Sequence, residues 1–141
     1  MNVDTFKGLL ASQTTQKGFS WQEENSEGSC ILSCRIGFPY YDDDCVVQIM
    51  VSEGEMQVAF ILDAIVPTFD NLKLVNDFND RVNFLKAHIH KSQRSYLLVI
   101  SGGLITNSTE QHAVDAFMAM VNYVASQDVA IFLRPLTVIT Q

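Results

Sequence analysis

The chain has 141 residues, of which 48% are hydrophobic, and this composition predicts one folded domain over residues 1–141 and excludes a disordered polar chain. Sixteen acidic residues against nine basic ones give a formal charge of −7, which argues against a nucleic-acid partner or an anionic membrane surface. The longest apolar runs are far shorter than the ~20 residues of a membrane helix, so we expect no membrane partner.

The first half of the chain predicts one helix followed by four strands. Apolar residues recur at helical spacing over 3–13, where Asp4 is the candidate N-cap, and Gly18 offers a left-handed stop. Segments that alternate between apolar and polar residues follow at 19–25, 29–38, 45–52 and 55–66. The tight turn at Glu53–Gly54 joins the last two, and such close spacing predicts an antiparallel meander with one buried face.

The cysteines lie within these predicted strands. Their number is odd, and Cys30 and Cys34 would be ~13 Å apart on one strand, beyond disulfide reach. We interpret them, with Cys45, as small buried core residues. Because the first residues also lack a basic leader with an apolar run, we expect a reducing, cytoplasmic location.

The second half predicts a helix, two strands and a final helix. In this half, the helix over 68–82 is capped by Thr68 or Asp70, and strands follow at 83–91 and 95–101. We interpret Gly102–Gly103 as a flexible exit from the second strand. The final helix, over 107–127, is capped by Asn107 with Glu110 or by Ser108 with Gln111. This grouped order, α-β-β-β-β-α-β-β-α, predicts an α+β fold with an antiparallel sheet flanked by helices, followed by an apolar tail at 129–141.

One candidate metal site is the pair His88 and His90, which share one strand face ~7 Å apart. Zinc needs three or four ligands, and the third histidine, His112, falls on the polar face of its helix. Lys86 shares the strand face and would repel a cation. We therefore interpret the pair as solvated residues and keep a metal or small-molecule site here as the alternative.

A second candidate site is the run of three carboxylates Asp42, Asp43 and Asp44. Oxygen ligands suit calcium or magnesium, but calcium loops space their carboxylates at alternate positions. Consecutive aspartates between strands are more typical of a hairpin tip. The neighbouring Tyr40 and Tyr41, together with these aspartates, are candidates for an interaction surface, because aromatic residues are enriched at interfaces.

No catalytic set stands out in the sequence. It contains no phosphate-binding loop, serine-hydrolase elbow or zinc-protease motif, and the cysteines have no partner base that the sequence identifies. We expect no cofactor and a non-enzymatic module that binds a protein segment through its sheet edge or a helix-lined groove. A protein whose acidic surface masks a basic partner is a further possibility.

Three asparagines mark the helix over 68–82 and the residue that follows it. On a helical wheel Asn79 falls inside the apolar arc, and Asn76 lies just past its edge. A buried amide must be hydrogen-bonded, so we predict that Asn79 bonds backbone groups of the neighbouring strand or loop. We interpret Asn83 as the left-handed stop of this helix.

The segment Leu74 to Ile100 resembles the YbjN-like family of bacterial proteins, which are described as sensory transduction regulators. The family pattern is Asn-x-x-Asn in a helix, an apolar residue and a strand that begins Phe-x-Lys, which matches Asn76, Asn79, Val82, Phe84 and Lys86. The resemblance implies a fold like that of type III secretion chaperones, a homodimer and a protein-binding or regulatory role. It implies no catalytic residues.

Overall fold

The computed structural model describes residues 1–41, 44–65, 68–82, 85–93, 95–105 and 109–130, without the side chains of 63–65 and 105. The helices are α1 Val3–Thr14, α2 Phe69–Arg81 and α3 Glu110–Ala125, and a 3-10 turn at Thr15–Lys17 follows α1. The strands are β1 Gln22–Ser26, β2 Ser29–Ile36, β3 Cys45–Ser52, β4 Glu55–Ile65, β5 Lys86–Lys91 and β6 Tyr96–Ile105. This order confirms the predicted α+β class.

The six strands form one sheet in the order β1-β2-β3-β4-β6-β5, and every neighbouring pair is antiparallel. The first four strands are the predicted meander, with neighbours in sequence paired in space. The hairpin of β5 and β6 then adds to β4 through β6, so β5 becomes an edge strand. The sheet therefore ends in β1 on one side and β5 on the other.

The helices cover one face of this sheet. Alternate strand residues are buried, as in β2 and β3, and they form one hydrophobic cluster with side chains of all three helices. The largest of these fully buried side chains include Phe6, Phe60, Phe78 and Phe117. Because side chains alternate between the faces of a strand, the intervening residues point away from the helices. We call this second surface, opposite the helices, the open face.

The helix ends agree with prediction in part. Thr68 caps α2 by accepting a hydrogen bond from Asn71 N–H, and Gly18 has the predicted left-handed φ of 78°. The predicted caps of the other two helices are wrong. Asn2, not Asp4, caps α1, and Thr109 caps α3 by accepting from His112 N–H. Since Asn, Asp, Ser and Thr are all good caps, a sequence that clusters them leaves the choice to backbone geometry.

Several strand boundaries differ from the prediction, since β2 ends at Ile36 rather than at 38 and β5 begins at Lys86 rather than at 83. β1 begins at Gln22, because Trp21 instead packs edge-on against Phe117 of α3, with ring centroids 5.7 Å apart. The Trp21 indole N–H also donates to Thr14 Oγ1 at 2.9 Å. β6 does not stop before Gly102–Gly103 but continues to Ile105, with these glycines paired to Val58 and Gln57 of β4. Cross-strand pairing thus overrides the weak strand propensity of glycine.

Several predictions lie outside the described residues. They concern Asp42, Asp43, Asn83, Phe84, Asn107, Ser108 and the tail beyond Ala130. Within the part of the chain that the structure describes, no helix is long and apolar enough to cross a membrane.

Candidate functional site

His88 and His90 lie on the open face at the β5 edge. Both side chains are exposed, as is Lys86 on the same strand face. Among the described residues, no group of three or more histidine, cysteine, aspartate or glutamate side chains is placed to hold a metal ion. The alternative metal site therefore gains no third ligand from the described residues, and the pair adds two exposed imidazoles to this edge.

The aromatic and acidic stretch before β3 divides into two environments. Tyr40 is 44% exposed, and Asp44 is exposed. Tyr41 is half-buried: its ring packs against Phe38 at a centroid distance of 5.8 Å, and its hydroxyl donates to Val124 O at 2.8 Å. Burial, and secondarily the Cys45 charge, raise the pKa of Tyr41 above its usual range. Tyr41 thus joins the end of α3 to the stretch before β3, and Tyr40 and Asp44 are the exposed candidates among the residues that the structure describes there.

Asn79 makes the predicted hydrogen bonds with a strand backbone. Its Nδ2 donates to Ala87 O at 2.8 Å, and its Oδ1 accepts from Ala87 N–H at 2.6 Å. A residue of an adjacent antiparallel strand would make this same pair of bonds with Ala87. Because β5 is an edge strand, the carboxamide of Asn79 occupies a position where a further strand would pair. Asn76, one turn earlier, is exposed.

The opposite edge is protected by charge. Every residue of β1 is exposed, and the strand carries Glu23 and Glu24. Glu23 accepts hydrogen bonds from Lys7 Nζ and from the Cys30 thiol, and Lys7 lowers its pKa. Charged side chains and a short edge strand are common defences against added strands. Both sheet edges are therefore poorly suited to the predicted binding of a segment by strand addition.

The open face is built from rows of side chains that strand pairing brings side by side. One row runs Glu24, Ile31, Met50, Gln57 and Gly103, the next Gln22, Ser33, Gln48, Ala59, Ser101 and Lys86, and the third Arg35, Val46, Ile61, Val99 and His88. The first and third rows are apolar in their middle. The second row has the small residues Ala59 and Ser101 on β4 and β6, so the surface is lower over these two strands.

A groove of about 520 Å³ lies where the first two rows meet. Its floor is formed by Ala59, Ser101 and Gly103, whose side chains are small or absent. Met50 and Ile31 rise at one end and Lys86 at the other, and Gln48 and Gln57 line it between them. At ~4.8 Å per strand, the groove from β3 to β5 is ~14 Å long.

Lys86 is held at the end of the groove by α2. Its ammonium donates to Asn79 O at 2.8 Å and to Val82 O at 2.9 Å, two carbonyls at the C-terminal end of the helix. A positive charge at this end is favourable because the helix dipole is negative there. An ammonium has three donors, so these two bonds leave Lys86 able to make another.

The cysteines provide no reactive group on this surface. Burial raises the pKa of Cys34 to about 12, and burial followed by the Cys34 charge raises that of Cys45 to about 12. All three thiols are free and lie on the core face, as predicted. Thiols that stay protonated are poor nucleophiles and poor metal ligands.

The groove was not predicted from the sequence, although two local signals point to it. Alternation places Ala59 and Ser101 on the uncovered face, and Gly102–Gly103 is an unusual pair for a strand interior. Glycine in a strand often marks close approach or missing side-chain volume. Only the pairing of β6 with β4 shows that these positions are neighbours.

No known family model matches the chain, and no curated protein matches its sequence. Among solved structures, YbjN from E. coli, proposed to be a transcription regulator, is similar in fold with a TM-score of 0.56 and 12% identity. The match covers 96% of this chain and 90% of YbjN. At this identity the likeness concerns the fold alone. It confirms the YbjN-like fold that the asparagine helix and the following strand predict; the chaperone-like part of that resemblance stays a prediction.

Proposed function

We propose that this protein is a non-enzymatic regulatory or protein-interaction module that binds a segment of a partner protein on the open face. The observation that carries the proposal is the groove over Ala59, Ser101 and Gly103, which lies on a sheet face that no helix of the described chain covers. Its apolar wall and polar lining resemble the mixture found in binding sites.

The two sheet edges support this choice of surface. Asn79 holds the backbone of Ala87 at the β5 edge, and charged residues line β1. Strand addition therefore meets an obstacle at either side, whereas the open face presents half-exposed apolar side chains, of which Met50 is 39% exposed. The fold shared with YbjN, itself proposed to be a regulator, is in keeping with a regulatory role.

The proposal includes a cytoplasmic location and a homodimer. Three free thiols, all buried, suit a reducing compartment. Apolar side chains at the start of α2, Phe69 at 81% exposure and Leu72 at 46%, supply surface for self-association away from the groove. Sedimentation equilibrium over a wide concentration range tests the dimer: we expect twice the chain mass, and a strictly monomeric protein contradicts it.

The binding function is tested by peptide display on two matched variants. Ala59→Leu fills the floor of the groove, and Ser33→Leu adds a comparable apolar side chain to the same face outside the groove. Peptides selected on the wild-type protein should bind Ala59→Leu roughly tenfold or more weakly, a loss of about 1.4 kcal/mol. They should bind Ser33→Leu within about threefold of the wild-type affinity. Equal binding to all three proteins would contradict the proposed site.

A further inference from the structure

We infer that the bound segment is acidic: it sets an apolar side chain on the floor of the groove and carboxylates beside Lys86, His88 and His90. This inference rests on the proposed function and names the chemistry of its partner. Two independent features of the open face carry it, namely the shape of the groove and the distribution of charge around it.

The shape of the groove suits one apolar side chain of an extended segment. Its floor has a methyl group at Ala59, a hydroxymethyl group at Ser101 and no side chain at Gly103. A side chain at Gly103 would meet Met56 O at 3.3 Å, so larger residues are disfavoured there and the depression is retained. Met50 and Ile31 give the guest apolar contact at one end, and burying them releases water from apolar surface.

The charge around the groove differs from that of the rest of the molecule. Lys86, His88 and His90 occupy successive positions of β5 on the open face, ~7 Å apart, and Arg35 lies on the same face in β2. The acidic residues among the described side chains of this face are Glu24, on β1, Glu55, at the start of β4, and Asp44, which precedes β3 on the side of Arg35 and away from β5. A chain with a formal charge of −7 thus presents a stripe of basic and imidazole groups at one end of its groove.

Lys86 is placed to receive a carboxylate. The two α2 carbonyls hold its ammonium beside the groove that Lys86 lines, and an ammonium with two bonds keeps a third donor. A charge-assisted hydrogen bond from a held ammonium is stronger than one between neutral groups. The negative charges elsewhere on the protein act over longer distances and are screened within about 8 Å at physiological ionic strength, so the local stripe decides binding.

A second copy of the chain is the competing occupant. Two open faces stacked about a two-fold axis parallel to the strands would set β1 of one copy against β5 of the other and each row opposite itself, so that Gln22 would face Lys86. That arrangement sets no carboxylate of the three rows against Lys86 or His88, and it places Gln57 opposite Met50 and Gln48 opposite Ala59, so it uses neither the charge nor the depression. The peptide segment uses both features, and the experiment separates the two occupants.

The test is a selection from random peptides of about a dozen residues, enough to span the ~14 Å groove. The full chain is the bait at physiological ionic strength, and the best peptide is then synthesised with each Asp and Glu replaced by Asn and Gln. We expect the selected peptides to be rich in acidic residues around an apolar one. The amide version should bind at least roughly tenfold more weakly, since close ion pairs contribute up to about 1 kcal/mol each.

Two charge variants locate the contact. The double variant His88→Glu with His90→Glu should lower the affinity for the acidic peptide roughly tenfold or more. Arg35→Glu lies on β2 at the far side of the sheet and should change that affinity less than about threefold. Each variant places glutamate on an exposed strand position, so stability should be similar in both, and thermal unfolding checks this. The inference is overturned if the β5 double variant has the melting temperature of the wild type and binds the acidic peptide with unchanged affinity.

The outcomes distinguish the inference from the proposed function. Neutral or basic peptides that lose affinity on Ala59→Leu leave the binding function standing and overturn the acidic partner. Peptides that bind Ala59→Leu as tightly as the wild type, or a selection that yields no peptide above background, overturn both the binding function and the acidic partner. A dimer mass that falls to the monomer on Ala59→Leu means that a second copy occupies the face, which also overturns the inference.

Discussion

At the scale of single residues, Asn79 shows how one amide can end a sheet. Its carboxamide matches the N–H and C=O of Ala87 as a strand neighbour would, and it reaches them from α2. The side chain therefore joins helix and strand and also blocks pairing at the edge of β5. Its placement on the apolar arc of the helix is the local signal that predicted these bonds.

Asn79→Ala should lower the free energy of unfolding by about 1–3 kcal/mol, because it leaves two partly buried backbone groups of Ala87 without their partners. Asn76→Ala, on an exposed position of the same helix, is the matched control and should stay within about 0.5 kcal/mol of the wild type. Urea unfolding of the three proteins measures the difference. Equal midpoints for both variants would contradict the structural role of Asn79.

Thr14 is a second residue whose hydrogen bonds tie elements together. It is fully buried, donates to Leu10 O at 2.6 Å and accepts from the Trp21 indole at 2.9 Å. Thr14→Val keeps the shape but removes the acceptor, so we expect a loss of about 1–2 kcal/mol in unfolding free energy. The exposed Thr5→Val is the control; a loss at Thr5 as large as at Thr14 would show that the cost is one of helix propensity.

At the scale of elements, helix ends and strand pairing follow different rules. The N-caps of α2 and α3 are both threonines, Thr68 and Thr109, whose hydroxyls accept from the N–H three residues on. These bonds are local, so sequence reasoning came within one or two residues of each helix start. β6 is the opposite case, because its passage through Gly102–Gly103 depends on pairing with β4.

Thr68→Ala and Thr109→Ala should each destabilise the protein by about 1 kcal/mol, the typical cost of losing an N-cap. Thr68→Ser and Thr109→Ser retain the acceptor and should recover most of that loss. Thermal unfolding followed by circular dichroism gives the comparison. Serine variants as unstable as the alanine variants would show that the hydroxyl bonds are not the cause.

At the scale of the whole molecule, the buried thiols link stability to pH. The folded pKa values of Cys34 and Cys45 are raised from 9.0 to about 12, so between these values the unfolded chain ionises while the folded chain keeps its protons. The unfolded state then binds fewer protons, and stability must fall as pH rises. The stabilising contribution is complete below about pH 9 and is lost towards about pH 12.

We therefore expect the urea midpoint to fall between about pH 8 and about pH 10, and to fall less in the double variant Cys34→Ala with Cys45→Ala. Ionisation of the other groups is common to both proteins, so the difference between the two slopes reports the thiols. An equal fall in both proteins would mean that the thiols do not cause it.

The sequence by itself determined the classes and order of the elements in this protein. Alternation with period two marked β2, β3 and β4, and the apolar arc of α2 with an amide inside it predicted the bond from Asn79. These signals are local, since each reflects which face of one element is buried. The asparagine pattern of α2 and the strand after it carried the resemblance to the YbjN-like family, which the shared fold bears out.

Only the tertiary structure decided where the groove lies. Its floor joins Ala59 of β4 to Ser101 and Gly103 of β6, and its ends come from β2, β3 and β5. Such neighbours are far apart in the chain, and their pairing depends on burial summed over the whole sheet rather than on any one segment. A small residue in a strand looks the same in sequence whether it fills a core or leaves a depression, and the sheet order makes the difference.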